Sequence, residues 1–414
     1  MKCKLIVLIL VITGLLQFVY AQEKNSWVIL SENQSGNRRA PGLIYASSTN
    51  EIILFCGARR RVSNELYPYN ILSYQIDNKK WMNDIPDGFK KISVKEGTIE
   101  NIKFNTPYFT MKDVEGNNQL NPEQLPIYNQ YAYAPWNHKI YFIATNHFIS
   151  YDLKTKKFEQ ILTGNDPLEP QQGFRSSYAW GSMCADQLNE EVVLFCGKYD
   201  TQRGDLGTWV YSTKNNKWTN LNLAVQPPVR AMSPMTFLDS ANKIYLFGGS
   251  RLDLTYNDTW VYDCTTRTWS EKTAEKSPKP RFAHGFHALP GTKDLILIGG
   301  STVRSSTSYC ATMTEVLPFE MWVYHTDKNT WEMLETQNEP VQSPLDTMVS
   351  TLIGQNRLMV VSRVLANGKI PDKTFLCEVD TNKIDKKGTV EKSVKGGIFD
   401  IREKTFDPNY YKVE

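Results

Sequence analysis

The stretch KIYLFGGSRLDLTYNDTWVYDCTTRTW, residues 243–269, decides the architecture. A run of β-formers, Ile244 to Phe247, ends in the pair Gly248-Gly249. Paired glycines suit a place where the backbone needs positive φ or comes close to a neighbour. A polar loop follows, then a second β-rich run, Thr259 to Tyr262, then a turn closed by Trp269. Aromatic and β-branched runs bounded by turn residues read as strands.

The same order recurs on both sides. Downstream lie Leu295 to Ile298, Gly299-Gly300, Met321-Trp322-Val323-Tyr324 and Trp331. Upstream lie Val192 to Phe195, Cys196-Gly197, Thr208-Trp209-Val210-Tyr211 and Trp218. Trp218 and Trp269 are 51 residues apart, as are Trp209 and Trp260. A repeat near 50 residues with four strand-like runs is the period of a propeller blade. Glycines after the second strand, with Tyr and Trp in the third and fourth, resemble the kelch family over about residues 175–331. The implied fold is all-β, a kelch-type propeller of six or seven four-stranded blades. Six repeats can be counted. The segment 396–406 (GGIFDIREKTF) is similar to residues 149–158 (ISYDLKTKKF) of the second repeat. This favours seven blades, the last completed by a strand at Ser26–Leu30.

The rest of the chain fits a single propeller domain over residues 22–414. Residues 1–21 hold Lys2 and Lys4, an apolar run from Leu5 to Leu16, and a small-x-small end at Val19-Tyr20-Ala21. That is the pattern of a cleaved secretory signal, and its apolar run is short for a lasting span. The expected location is secreted or periplasmic, with no membrane span after cleavage. Residues 82–128 interrupt the repeats as a polar insertion, a length usually tied to function. Of seven cysteines, Cys3 lies in the leader. Cys56 and Cys196 stand at the first-glycine position of their repeats and read as small buried residues. Export permits disulfides, but irregular spacing leaves pairing open.

Function is read from the loops. In an antiparallel blade with strands a to d from the channel outward, all d–a and b–c connections share one face. The d–a connections carry Arg38, Arg39, Arg175, Tyr178, Arg230, Arg281 and His284. The b–c connections carry Arg59 to Arg61, His147, Tyr199, Arg203, Arg251, Tyr256 and Arg304. Net charge is only +3, so arginine would be concentrated on one rim without any global demand for nucleic acid. A concave mouth of one sign attracts the opposite charge, and an arginine fork suits carboxylate or sulfate. Arg175, Arg203, Arg230, Arg251 and Arg281, with Tyr178 and His284, are therefore the substrate-binding candidates. His147, Tyr199 and Tyr256 are the catalytic candidates. A second reading stands beside this one: Arg39, Arg175, Arg230 and Arg281 recur at one repeat position and can instead tie blade to blade.

An exported propeller with such a rim resembles the ulvan-lyase families. That resemblance implies β-elimination on a uronic-acid polysaccharide. A cation would neutralise the carboxylate, His147 would remove the α-proton and Tyr199 would protonate the leaving oxygen. Alternatives are a non-catalytic kelch module for glycan or protein, and a sialic-acid mutarotase. No cofactor or metal is expected. His284 and His287, three apart on a strand, point to opposite faces and make a poor chelate, and no Tyr/Tyr/His/His copper set is found. Nucleophile-elbow, phosphate-loop and dinucleotide motifs are absent from the sequence. The expected partner is an acidic polysaccharide or oligosaccharide, bound by a monomer.

Overall fold

The computed structural model describes residues 23–35, 41–57, 71–76, 78–84, 110–112, 118–120, 130–144, 147–163, 181–195, 207–251, 254–304, 313–341, 348–363, 372–386, 391–392, 399–400 and 405–406. They form a ring of six four-stranded antiparallel blades. In order a to d, blade 1 is Gly42–Ala46, Glu51–Phe55, Ile71–Gln75 and Lys80–Asp84. Blade 2 is Tyr131–Ala134, Lys139–Ala144, His147–Asp152 and Lys157–Gln160. Blade 3 is Ser182–Asp186, Glu191–Phe195, Thr208–Ser212 and Lys217–Asn220. Blade 4 is Met235–Leu238, Lys243–Phe247, Thr259–Asp263 and Thr268–Lys272. Blade 5 is Gly285–Ala288, Asp294–Ile298, Met321–His325 and Thr330–Met333. Blade 6 takes Val349–Ile353, Arg357–Arg363 and Asp372–Glu378 from its own repeat.

The outermost strand of blade 6 is Trp27–Glu32, paired antiparallel with Asp372–Glu378. The N-terminal strand thus closes the ring, as expected, but it closes the sixth blade and not a seventh. The segment around 396–406 also differs from expectation. Phe399–Asp400 and Thr405–Phe406 do pair as a hairpin. That hairpin adds to Ser250–Arg251 and Leu254–Thr255 in the b–c connection of blade 4, so it belongs to an accessory sheet. Nearby, Glu391–Lys392 pairs with Lys276–Ser277, which leads from blade 4 into blade 5.

Blade order follows from two-sided strands. Side chains alternate along a strand, and strand b of each blade is covered on both faces, so it reads as an unbroken apolar run. Ile244 and Leu246 pack with Val193 and Phe195 of blade 3, whereas Tyr245 and Phe247 pack with Leu295 and Leu297 of blade 5. Six such apolar clusters occupy the seams between consecutive blades, including the closing seam of blade 6 against blade 1. Large side chains buried this way contribute roughly 1.5–3 kcal/mol each.

The closing aromatics do one repeated job. Tyr74 faces Trp81 across strands c and d, and the pairs Tyr211 with Trp218, Tyr262 with Trp269 and Tyr324 with Trp331 repeat this register. Their centroids lie 4.8 to 5.3 Å apart. In blade 2 Tyr151 with Phe158 takes the place at 4.7 Å. Some of these indoles also bond backwards around the ring: Trp81 donates to Thr374 of blade 6 and Trp269 to Thr208 of blade 3, each at 2.8 Å.

The paired glycines earn their place. Gly248 and Gly249 have φ of 59° and 104°; a Cβ on Gly248 would stand 2.4 Å from the Arg281 carbonyl oxygen, and one on Gly249 1.8 Å from Ser233 Oγ. Cys56, in the first-glycine position of blade 1, is buried with φ of 55°. Among the described residues Cys56, Cys184, Cys264 and Cys377 are buried. Cys196 and Cys310, the leader at 1–21 and most of the 82–128 insertion lie outside the described residues. Within that insertion Thr110–Lys112 pairs with Asn118–Leu120.

Candidate functional site

The arginines of blades 4 and 5 occupy the same frame. Arg230 and Arg281 are 51 residues apart and are 1% and 0% exposed. Each closes its own turn, Arg230 Nε on the Pro228 carbonyl and Arg281 Nε on the Lys279 carbonyl. Each also crosses to the glycine pair, at 3.0 Å to the Gly248 oxygen and 2.9 Å to the Gly299 oxygen. Arg230 then meets Asp258 through two bonds of 2.5 and 2.7 Å, and Arg281 meets Glu320 at 2.6 Å. Both carboxylates accept from the indole two residues on, Asp258 from Trp260 and Glu320 from Trp322.

This geometry decides between the two readings for Arg230 and Arg281 alone: both are structural, and neither joins a cationic rim. Arg230 and Arg281 are buried, and each of their guanidinium nitrogens bonds a carbonyl or a carboxylate within its own repeat. Burial draws both guanidiniums toward lower pKa. For Arg230 the Asp258 carboxylate outweighs that pull, so the net shift is upward; for Arg281 burial prevails over Glu320 and the net shift is downward. Tyr256, expected as catalytic, is 1% exposed and lies flat beneath Arg230, with the guanidinium carbon 4.0 Å from its ring centroid. Its hydroxyl points at the Val229 carbonyl, 3.4 Å away. Tyr256 therefore supports a buried cation.

His284 is placed differently. It is 4% exposed, and neither ring nitrogen has a hydrogen-bond partner among the described residues. Its ring stands edge-on to Phe247 and near Phe286. It lines the central channel, a cavity of about 680 Å³ bordered by the innermost strands of all six blades. His287 lines the same cavity and its Nε2 lies 2.8 Å from Ser350 Oγ. The two histidines were expected on opposite faces of one strand. His284 precedes the strand that begins at Gly285, so the two-residue alternation does not apply to it. Burial, with Arg281 and His287 adding to it, pushes the His284 pKa well down. Burial holds His287 at about 4.

The remaining candidates are not gathered by the described structure. Arg175, Tyr178, Tyr199 and Arg203 lie outside the described residues. His147 opens strand c of blade 2, with Ala144 of strand b as its Cα partner. Arg251 sits at the end of the Ser250–Arg251 strand. Only the backbone of these two is described. Among the described residues no group of three His, Cys, Asp or Glu side chains is placed to hold a metal ion.

Residues that sequence reasoning passed over include Asp258 and Glu320, the acid partners of the buried arginines, and Ser350, the partner of His287. A signal for the acids was present: each stands two residues before the strand-c tryptophan, in Asp258-Thr259-Trp260 and Glu320-Met321-Trp322.

Comparison with known proteins agrees with the ring. The chain is 31% identical over 145 residues to the dynein alpha chain of the flagellar outer arm from Chlamydomonas reinhardtii, covering 33% of this chain and 3% of that protein. It is 26% identical over 175 residues to Kelch domain-containing protein 1 from Mus musculus, covering 41% of this chain and 39% of that one. The chain therefore spans less than half the length of either curated relative. Residues 137–362, more than half of the chain, match the model of the KLHDC2/KLHL20/DRC7 Kelch-repeats domain. With six blades, a glycine pair after strand b and a tryptophan in strand d, the chain belongs to the kelch-repeat β-propeller family.

Proposed function

We propose that this propeller is a protein-binding module whose docking surface is the face of d–a and b–c connections. One observation carries the reading. Two short strands in those connections already take up extended backbone: Leu254–Thr255 pairs with Phe399–Asp400, and Lys276–Ser277 pairs with Glu391–Lys392. Adding an extended segment to a strand edge is a recurrent mode of peptide recognition, in which main-chain bonds give affinity and alternate side chains give specificity. The C-terminal region serves as the occupant in cis, and a partner segment of the same extended form would compete with it.

The lyase on an acidic polysaccharide, and likewise the mutarotase, rests on His147, Tyr199, Arg175, Tyr178, Arg203 and Arg251, and nothing described favours either. Arg230, Arg281 and Tyr256 are better explained by folding. Fold alone decides neither reading. Export through residues 1–21 is part of the proposal, and N-terminal sequencing of the mature chain checks it.

The test uses the purified protein. An array of extended peptides is probed, with the synthetic segment 391–406 as competitor, while absorbance of unsaturated uronate is followed with a panel of acidic polysaccharides. Peptide capture displaced by that segment, with flat absorbance, supports the binding module. A rise in absorbance with any polysaccharide moves the chain to the lyases and overturns it.

A further inference from the structure

We propose that the edge Lys276–Ser277 sets the specificity of the docking face and takes an extended partner segment with an aspartate or glutamate opposite Lys276. Residues 391–392 hold that edge in cis as a poorly matched stand-in. The proposal deepens the peptide-docking reading and rests on it.

It begins from a mismatch in register. The cis pairing sets Lys392 directly opposite Lys276, and Glu391 opposite Ser277. Like charges directly opposite one another weaken an antiparallel pair. The residues two places to either side of Lys392, where a diagonal acid could offset the repulsion, are Val390 and Val394. The blades are built otherwise. Lys243 stands opposite Asp263 in blade 4, with Nζ 3.6 Å from the carboxylate. Lys373 stands opposite Glu32 in blade 6, at 2.9 Å. In blade 2 Lys139 and Lys157 each pair with Asp152 across their ladders. Among the described ladders Lys276 is the one lysine that meets another lysine.

The edge is held in place and short. Ser277 is buried, and Asn257 Nδ2 donates to its Oγ at 3.0 Å. The Ser277 hydroxyl donates to the Pro278 carbonyl at 3.1 Å. Asn257 precedes Asp258, the acid that binds Arg230, so the edge is tied to the buried frame of blade 4. Pro278 has no N–H to give, which suits the end of an edge strand. Lys276, by contrast, is exposed and forms no ion pair among the described residues. A two-residue ladder is marginal by itself, and this one also carries like charges across it. A partner with an acid in the place of Lys392 gains the same main-chain bonds and replaces the repulsion with attraction.

Fluorescence anisotropy with the full chain tests this. The probes are labelled synthetic peptides of residues 391–406: the parent sequence, Lys392→Glu, and Lys395→Glu, which has the same net charge as Lys392→Glu. The Lys392→Glu peptide should bind about three- to tenfold tighter than the parent, and Lys395→Glu should stay within about twofold of it. In the Lys276→Glu protein the order of the parent and Lys392→Glu peptides should reverse. The cis segment competes with every peptide alike, so these affinity ratios do not depend on it. Raising the salt should shrink them. Equal affinity for the parent and Lys392→Glu peptides overturns the proposal and leaves the docking reading standing. So does an equal gain from Lys395→Glu, or a preference unchanged in Lys276→Glu. No binding by any of these peptides overturns the docking reading, and this proposal with it.

Discussion

Blades 4 and 5 are built on one plan and use it with different completeness. Arg230 has a bidentate carboxylate, a tyrosine face and a carboxylate partner whose side chain is only 2% exposed. Arg281 has a single bond to Glu320, whose side chain is 16% exposed. Blade 4 fills its inner positions with Ser233 and Thr236, both bonded; blade 5 puts His284 and His287 there. The comparison shows that a repeat can keep its structural arginine while the inner positions after it change from bonded hydroxyls to imidazoles.

The largest effect should separate the two arginines. Removing one partner of a buried pair leaves an uncompensated charge and costs about 3–5 kcal/mol. Arg230→Ala should fall in that range, because Asp258 has no route to water. Arg281→Ala should cost less, about 1.5–3 kcal/mol, as for a hydrogen bond to a charged group, because Glu320 can rehydrate. Urea midpoints at constant slope measure both. Equal losses would show that the extra bonds in blade 4 add nothing.

Why was the ring legible in the sequence, and the choice between a rim and a structural role for its arginines not? The unbroken run from Ile244 to Phe247 and the pairing of Tyr262 with Trp269 are local patterns, and each repeats at nearly fixed spacing. Whether Arg230 faces solvent depends on Asp258, 28 positions away, while the acid of Arg281 is 39 away because the b–c connections differ in length. No fixed spacing announces that pairing. The preference for seven blades over six failed for a related reason. Residues 399–406 share the hairpin grammar of blade 2, and they do form a hairpin, but local grammar does not say which strand edge it joins. His284 could be listed as a candidate from its place in the repeat. That its ring would be buried without a partner could not be read from residue types.

A second contrast is in pH. His287 is held at about 4 against an ordinary 6.5, and His284 is also displaced downward, both by burial. The folded state therefore holds both neutral, and the unfolded state takes up protons first. This contribution is complete above about pH 6.5 and is lost as pH falls toward 4. For His287 the limit is about 3 kcal/mol, since each pKa unit is worth about 1.4 kcal/mol, and its half-buried position reduces that. The double variant His284→Ser with His287→Thr, a blade 5 that copies blade 4, should flatten stability between pH 6.5 and 4.5. An unchanged acid slope would place the sensitivity elsewhere.

Tyr256 sharpens the comparison from blade 4. Replacing it with Leu removes the ring beneath Arg230, and a desolvated cation over an aromatic face is worth about 1–2 kcal/mol. Tyr256→Phe keeps the face and gives up the hydroxyl with its 3.4 Å contact to Val229, so it should stay within about 0.5 kcal/mol of the parent chain. Thermal denaturation of both variants checks the order. A Phe variant as unstable as the Leu variant would assign the work to the hydroxyl and not to the ring.

The smallest effect tests the outer strands. Trp269 of blade 4 donates to Thr208 of blade 3, whereas the indole of Trp331 in blade 5 has no partner among the described residues. The threonine matching Thr208 on the neighbouring seam is Thr259, which opens strand c of blade 4 just as Thr208 opens strand c of blade 3. Thr208→Val leaves a buried N–H unpaired and should cost about 1–2 kcal/mol. Thr259→Val removes no such bond, so its cost should be about 1 kcal/mol lower. The two substitutions delete the same atoms at equivalent positions, so the difference in midpoint reports the indole bond together with the 3.2 Å bond from Thr208 Oγ1 to Gln226 Oε1, with the threonine packing largely cancelled. Equal costs would mean that the seam between blades 3 and 4 draws its stability from the stacked rings alone.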